Sequence, residues 1–145
     1  MSTQPCGCDL DARWMCRRHS EELQDRLDKL QDGDSRNEAI VTDPDTGGRK
    51  ASKLARFDLI PPEAEWALAE HYGKGCAKYE SRNWEKGYKW GLSLAALRRH
   101  LNLWHQGESY DEETGSHHLI AVAWHAFALF TYELRGLGTD DVRVK

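Results

Sequence analysis

Apolar positions recur at helical spacing in several stretches of the chain. Trp90, Leu94, Leu97, Leu101 and Trp104 follow one another at steps of four, three, four and three, a seam along one face of a helix from about Trp90 to His105. A second stretch, from about His117 to Leu134, is apolar nearly all round, the pattern of a buried helix. A third helix is predicted from Pro61-Pro62, where proline suits the opening turn and Glu63 and Glu65 complement the dipole. Gly73 is its natural stop. Nearer the start, Leu23, Leu27 and Leu30 with charges between them predict a shorter helix. No alternating segment is long enough to predict a strand, so the expected class is all-α, a helical bundle.

Composition divides the chain into zones. Residues 1–31 hold clustered cysteines and the short helix, and residues 32–46 carry Asp, Gly, Ser, Asn and Pro in the manner of a linker. Residues 47–136 form the main domain and residues 137–145 a tail. Three helices of this size leave apolar seams uncovered, which predicts a homo-oligomer, a dimer or tetramer.

Charge and hydropathy narrow the class. No run of about 18 apolar residues is present, and Met1 to Leu10 shows neither a basic start nor an apolar stretch, so neither a membrane span nor a secretory leader is expected. A cytoplasmic location follows, in a bacterium or a cell infected by a virus. The net charge of −4 argues against a protein that coats nucleic acid, and no direct nucleic-acid binding is expected.

Cys6, Cys8, Cys16 and His19 place four zinc-type ligands within fourteen residues. Zinc takes tetrahedral sulfur and nitrogen, and four protein ligands close the site, so a structural Zn²⁺ knuckle is expected there. Cys76 stands alone and reads as a buried or half-buried small residue. Between the second and third helices of the main domain, Glu108, Asp111, Glu112 and Glu113 crowd four carboxylates into six residues bracketed by Gly107 and Gly115. Such a concentration suits Mg²⁺ or Mn²⁺, and a solvated acidic turn is the plainer alternative. Arg98, Arg99 and His100 precede this loop and His118 follows it. His125 lies seven residues beyond His118, on the same helical face, and reads as a satisfied bundle histidine.

Two further segments suit a nucleotide. Gly47-Gly48-Arg49-Lys50, with Lys53 and Arg56, gathers cations beside glycines that let backbone N–H groups approach an anion. Lys74 to Lys86 interleaves Lys78, Arg82 and Lys86 with Tyr79 and Trp84, which can stack a base, and Asn83, which can face a base edge. Trp84 serves equally well as packing.

These motifs occur in an order that resembles a family of phage dATP/dGTP diphosphohydrolases, MazG-like all-α enzymes. They run from Gly47-Gly48-Arg49-Lys50 through Lys53, Arg56 and Asp58-Leu59-Ile60-Pro61-Pro62 to Gly73, Lys78-Tyr79, Asn83-Trp84 and Gly87. Arg99-His100, Gly107-Glu108, Asp111, Glu113-Thr114-Gly115 and His118-Leu119 complete the series. The resemblance covers about Gly47 to Leu134. It implies hydrolysis of dATP and dGTP to the monophosphate and pyrophosphate, shaping the nucleotide pool during infection. It also places Lys78, Asn83, Arg99, His100, Glu108, Asp111, Glu113 and His118 at motif positions. Two departures stand out: Ala121 where many members have a second histidine, and His125 where they tend to have asparagine.

The expected site therefore has Glu108, Asp111 and Glu113 holding Mg²⁺ or Mn²⁺, with His118 and His100 beside them. Arg49, Lys50, Lys53, Lys78 and Arg99 would take phosphates, and Tyr79, Asn83 and Trp84 the base. The rival class is a non-enzymatic zinc-knuckle adaptor with the acidic loop as plain surface.

Overall fold

The computed structural model of the chain describes residues 21, 24, 25, 27–29 and 39–143. The expected zinc ligands Cys6, Cys8, Cys16 and His19 lie outside the described residues. The chain divides into two compact units, Met1–Arg56 and Phe57–Lys145.

In the first unit, residues 21, 24, 25 and 27–29 are helical. Lys29 Nζ meets Asp25 Oδ2 at 2.6 Å and Gln24 Nε2 donates to Asp28 Oδ1 at 2.7 Å, side-chain pairs one helical turn apart. Beyond them lies an antiparallel hairpin, β1 (Ala39–Thr42) and β2 (Arg49–Ser52), with Ala39 opposite Ser52 and Thr42 opposite Arg49. This corrects the all-α expectation, and residues 39–46 of the expected linker form a strand and its turn. The turn is locally specified. Asp43 Oδ1 accepts from the backbone N–H groups of Asp45 and Thr46 and from Thr46 Oγ1, at 3.1, 2.7 and 2.8 Å. Four-residue strands exposed along almost their whole length carry too little alternation to stand out from a linker.

The second unit holds a single-turn 3₁₀ helix (Phe57–Leu59), α1 (Pro62–Lys78), a second 3₁₀ turn (Asn83–Lys86), α2 (Trp90–His105) and α3 (His118–Arg135). The α1 helix runs through Gly73 and Gly75 rather than stopping there. Each glycine costs a helix about 1 kcal/mol, and tertiary contacts offset it. Tyr72 packs against Trp84 and Trp124, while Lys74 and Lys78 reach Ser116 and Glu113 in the loop before α3.

The helices α2 and α3 pack antiparallel, so pairs of side chains form rungs: Tyr88, just before α2, meets Tyr132, Ser93 meets His125, and His100 meets His118. Contrary to the expectation of all-round burial, α3 buries one stripe: His118, Ala121, Ala128 and Tyr132. Phe127 and Phe130 on its other side are 54% and 58% exposed within the single chain.

The expected tail folds back onto the start of α2. Trp90 N donates to Thr139 O (2.9 Å), Trp90 Nε1 to Leu137 O (2.8 Å) and Thr139 N to Tyr88 O (3.1 Å). Gly138 is required there: its φ is +70°, and a Cβ would stand 2.2 Å from Tyr88 O.

Candidate active site

At the His118 end of the α2–α3 interface, three elements converge. His100 comes from the last turns of α2, His118 from the first turn of α3, and Asp111 from the loop between. Their potential ligand atoms all lie within 4.8 Å of one another. His100 and His118 are buried, and their Nδ1 atoms approach to 2.9 Å. That contact is a hydrogen bond between the two rings, one Nδ1 donating and the other accepting. His118 Nε2 is buried with no hydrogen-bond partner and faces Glu108 Oε2 across 4.0 Å.

The acidic loop is ordered by its own sequence. Asp111 N donates to Ser116 O (2.9 Å), Gly115 N to Asp111 O (2.7 Å), and His118 N to Ser109 O (2.9 Å). Gly115 sits at φ +65°, which lets the chain reverse at little cost. Asp111 Oδ2 accepts from Thr114 N (2.9 Å) and Thr114 Oγ1 (2.7 Å). Burial alone would raise the Asp111 pKa. The Thr114 hydrogen bonds, helped by His100 and His118, outweigh it and hold the carboxyl below its ordinary range.

The surrounding imidazoles are biased toward neutrality. Burial, then Arg99 and His118 nearby, push His100 below its ordinary pKa against the pull of Asp111. His71 of α1 is lowered by burial and then by His100 and Lys74, and its Nδ1 is buried without a hydrogen-bond partner. His125 is lowered to about 4, first by burial and then by His100. Its ring stacks on His100 at 24° with 6.0 Å between centroids, and its Nδ1 meets Ser93 Oγ at 3.2 Å.

A cavity of about 870 Å³ opens beside the cluster, within the range of ligand pockets. Asp111 and His100 line one part of it. Lys74, Lys78 and Arg99 line it as well, and an aromatic wall of Tyr72, Trp84, Tyr88 and Trp124 forms another part. Lys78 Nζ forms an ion pair with Glu113 Oε1, which raises the Lys78 pKa. Lys74 Nζ donates to Ser116 Oγ at 3.1 Å.

Against the sequence-based expectation, the carboxylate trio is only partly assembled. Asp111 joins two histidines, Glu113 is taken up by Lys78, and Glu108 stands next to His118. The histidines expected as neighbours occupy the centre. Tyr79, Asn83, Trp84, Lys78 and Arg99 have their places. Asn83 and Tyr79 line the cavity, and Trp84 both lines it and packs against Tyr72, Trp124 and Tyr132. Arg49 and Lys50 lie on β2, with Lys53 following, all in the first unit. Cys76 is exposed, not buried as expected, because α1 extends past Gly75 and carries it on an outward turn at the cavity rim. Sequence reasoning missed His71, Lys74, Ser93 and Trp124. The spacing of His71, Lys74 and Lys78 by three and four was the available signal, since it puts all three on one face of α1.

A helical domain whose buried histidines and a carboxylate meet beside a cation-flanked, aromatic-walled cavity has the make-up of a small nucleotide-handling hydrolase. The profile of the family described as dATP/dGTP diphosphohydrolase, N-terminal, matches residues 44–142, and the chain belongs to that family. No curated protein and no solved structure matches the chain. No described helix is long and apolar enough to cross a membrane.

Proposed function

We propose that this protein hydrolyses dATP or dGTP to the deoxynucleoside monophosphate and pyrophosphate with a divalent cation held by His100, Asp111 and His118. The observation that carries the reading is the convergence of those three side chains, with a buried unpartnered nitrogen on His118, at the edge of a cavity that also offers cations and aromatic surface. The donor set fits a metal. Two imidazoles and one carboxylate suit Mn²⁺ better than Mg²⁺, which favours oxygen ligands alone. When bound, such an ion supplies positive charge to the phosphate oxygens and lowers the pKa of coordinated water.

The chain's own groups supply the rest. Lys74, Lys78 and Arg99 bind phosphate oxygens, and a phosphate arriving at Lys78 takes the place of Glu113, an exchange that exposed partners permit cheaply. Water adds at the α-phosphorus as the bond to the bridging oxygen breaks, releasing pyrophosphate. Glu108, exposed and next to His118, accepts the proton from the water. The aromatic wall takes the base. The exposed Phe127 and Phe130 support self-association through α3.

Pyrophosphate release measured with each dNTP and with Mn²⁺ or Mg²⁺ tests the reading. Purine substrates and Mn²⁺ are expected to give the fastest turnover. Asp111→Ala is expected to lower it by about a thousandfold or more, about 4 kcal/mol of barrier, with an unchanged helical circular dichroism signal. Full activity in that variant overturns the site.

A further inference from the structure

His71 stands where the charged and the aromatic parts of the cavity meet. It is half-buried on α1 and lines the cavity, and its Nδ1 is buried with no hydrogen-bond partner. On one side its ring lies edge-on to Trp124 of the aromatic wall, with 6.0 Å between centroids. On the other, His100, Lys74 and Asp111 are close enough to act on its charge. Spacing along α1 gives the same order. His71, Lys74 and Lys78 share one face at steps of three and four, so His71 falls one turn before the first lysine, about 4.5 Å along the axis. Burial, then His100 and Lys74, lower the His71 pKa, so the ring offers hydrogen bonds rather than charge near neutral pH.

We infer that His71 is a specificity-determining residue that hydrogen-bonds the 3′-hydroxyl of the substrate sugar. The inference rests on the nucleotide reading above and adds the sugar to it. In a deoxynucleoside triphosphate the sugar joins the α-phosphate to the base. With phosphates on Lys74 and Lys78 and the base on the aromatic wall, the sugar comes to the junction that His71 occupies. Its one free hydroxyl is on C3′. A hydroxyl both donates and accepts, so it pairs with a neutral imidazole whichever nitrogen carries the proton. No partner holds Nδ1, and a half-turn about Cβ–Cγ, a soft torsion for an imidazole, brings either edge of the ring to the sugar. A sugar without that hydroxyl fills the site but leaves the nitrogen unpaired, and such an analogue is rejected accordingly.

The test measures binding rather than turnover, by calorimetry with Mn²⁺ present. The ligands are the α,β-methylene analogues of dATP and dGTP, in which the bond to be broken is blocked, and the tighter of the two is compared with its 2′,3′-dideoxy counterpart. The native protein is expected to bind the hydroxyl-bearing nucleotide about tenfold or more tightly, about 1.4 kcal/mol. His71→Phe, which keeps a ring beside Trp124 and removes both nitrogens, is expected to bring the ratio within about twofold. Should that variant fail to fold, His71→Ala is read in the same way. His71→Gln, whose amide both donates and accepts, is expected to keep a preference of several-fold. Equal affinity of the native protein for both nucleotides overturns the inference and leaves the hydrolase reading intact, as does equal discrimination in the native protein and a folded variant without the imidazole. A native protein that binds neither analogue overturns both. One that shows the stated preference, lost in His71→Phe, but releases no pyrophosphate from dATP or dGTP sinks only the hydrolase.

Discussion

At the Tyr132 end of the α2–α3 interface, polar atoms are handed to partners that hold them. Tyr132 donates to Trp84 O, Trp90 Nε1 donates to Leu137 O, and the returning tail closes the backbone of Tyr88 and Trp90. At the His118 end, about 20 Å along the same helices by their rise per residue, burial is just as deep but the pairing is incomplete. His118 Nε2 and His71 Nδ1 are the two buried side-chain atoms without a hydrogen-bond partner among the described residues. An unsatisfied buried polar atom costs roughly 1–3 kcal/mol, so a group that pairs with either nitrogen would stabilise that end. One end is closed by its own partners, and the other is where the proposed function puts the ion and the substrate.

That contrast can be broken by substitution. Tyr132→Ala is expected to destabilise the domain by about 3–5 kcal/mol, because it empties a fully buried aromatic site and frees Trp84 O. Denaturant unfolding measures it, and a loss under about 1 kcal/mol would show that this end is not the anchor. At the other end, Asp111→Asn is expected to change metal-free stability by less than about 1 kcal/mol. It is also expected to abolish the stabilisation that Mn²⁺ at about a hundred times its Kd gives the native protein, about 2.7 kcal/mol. A thermal shift that survives in the variant argues for another ligand set.

The histidines predict a pH dependence of smaller size. His71, His100 and His125 all have folded pKa values below the ordinary 6.5, so the unfolded chain binds more protons as pH falls through that value. Metal-free stability should therefore be level above about pH 7 and decline on acidification through the window between 6.5 and about 4. His125 supplies the largest part, about 2 kcal/mol after discounting for its partial exposure. Urea unfolding at about pH 7.5 and about pH 5 checks the sign, and a His125→Gln variant should show a shallower slope. The smallest effect concerns Lys78. Its pairing with Glu113 is exposed on both sides, so Lys78→Ala should shift stability by less than about 0.5 kcal/mol while raising KM several-fold.

Much of this arrangement is legible in the sequence where local rules decide it. The seam from Trp90 to Trp104 marks out α2 because four-three spacing sustained over that length fits a helix and little else. The acidic loop is marked by its glycines and the sharp rise in carboxylates. The features that are not legible depend on long-range contacts. Nothing near Gly73 signals that Trp84, Trp124 and Glu113 will carry α1 onward to Lys78. The hairpin at residues 39–52 is too short and too exposed for its alternation to register. Among the described residues His100, Asp111 and His118 come within reach of one another, a grouping that spacing within the loop does not reveal. Thr114 ties Asp111 in place, and Lys78 draws Glu113 outward. From sequence His125 reads as a satisfied bundle residue, and Ser93 Oγ, 3.2 Å from its Nδ1, is a partner that only the packed helices reveal.

The most direct measurement is calorimetric titration of Mn²⁺ into the native protein and into His118→Ala and Asp111→Asn variants. Saturable uptake by the native protein, weakened about a hundredfold or more in both variants, is the predicted result, a difference of about 2.7 kcal/mol. Uptake of equal strength in all three, or none in well-folded native protein, would contradict it.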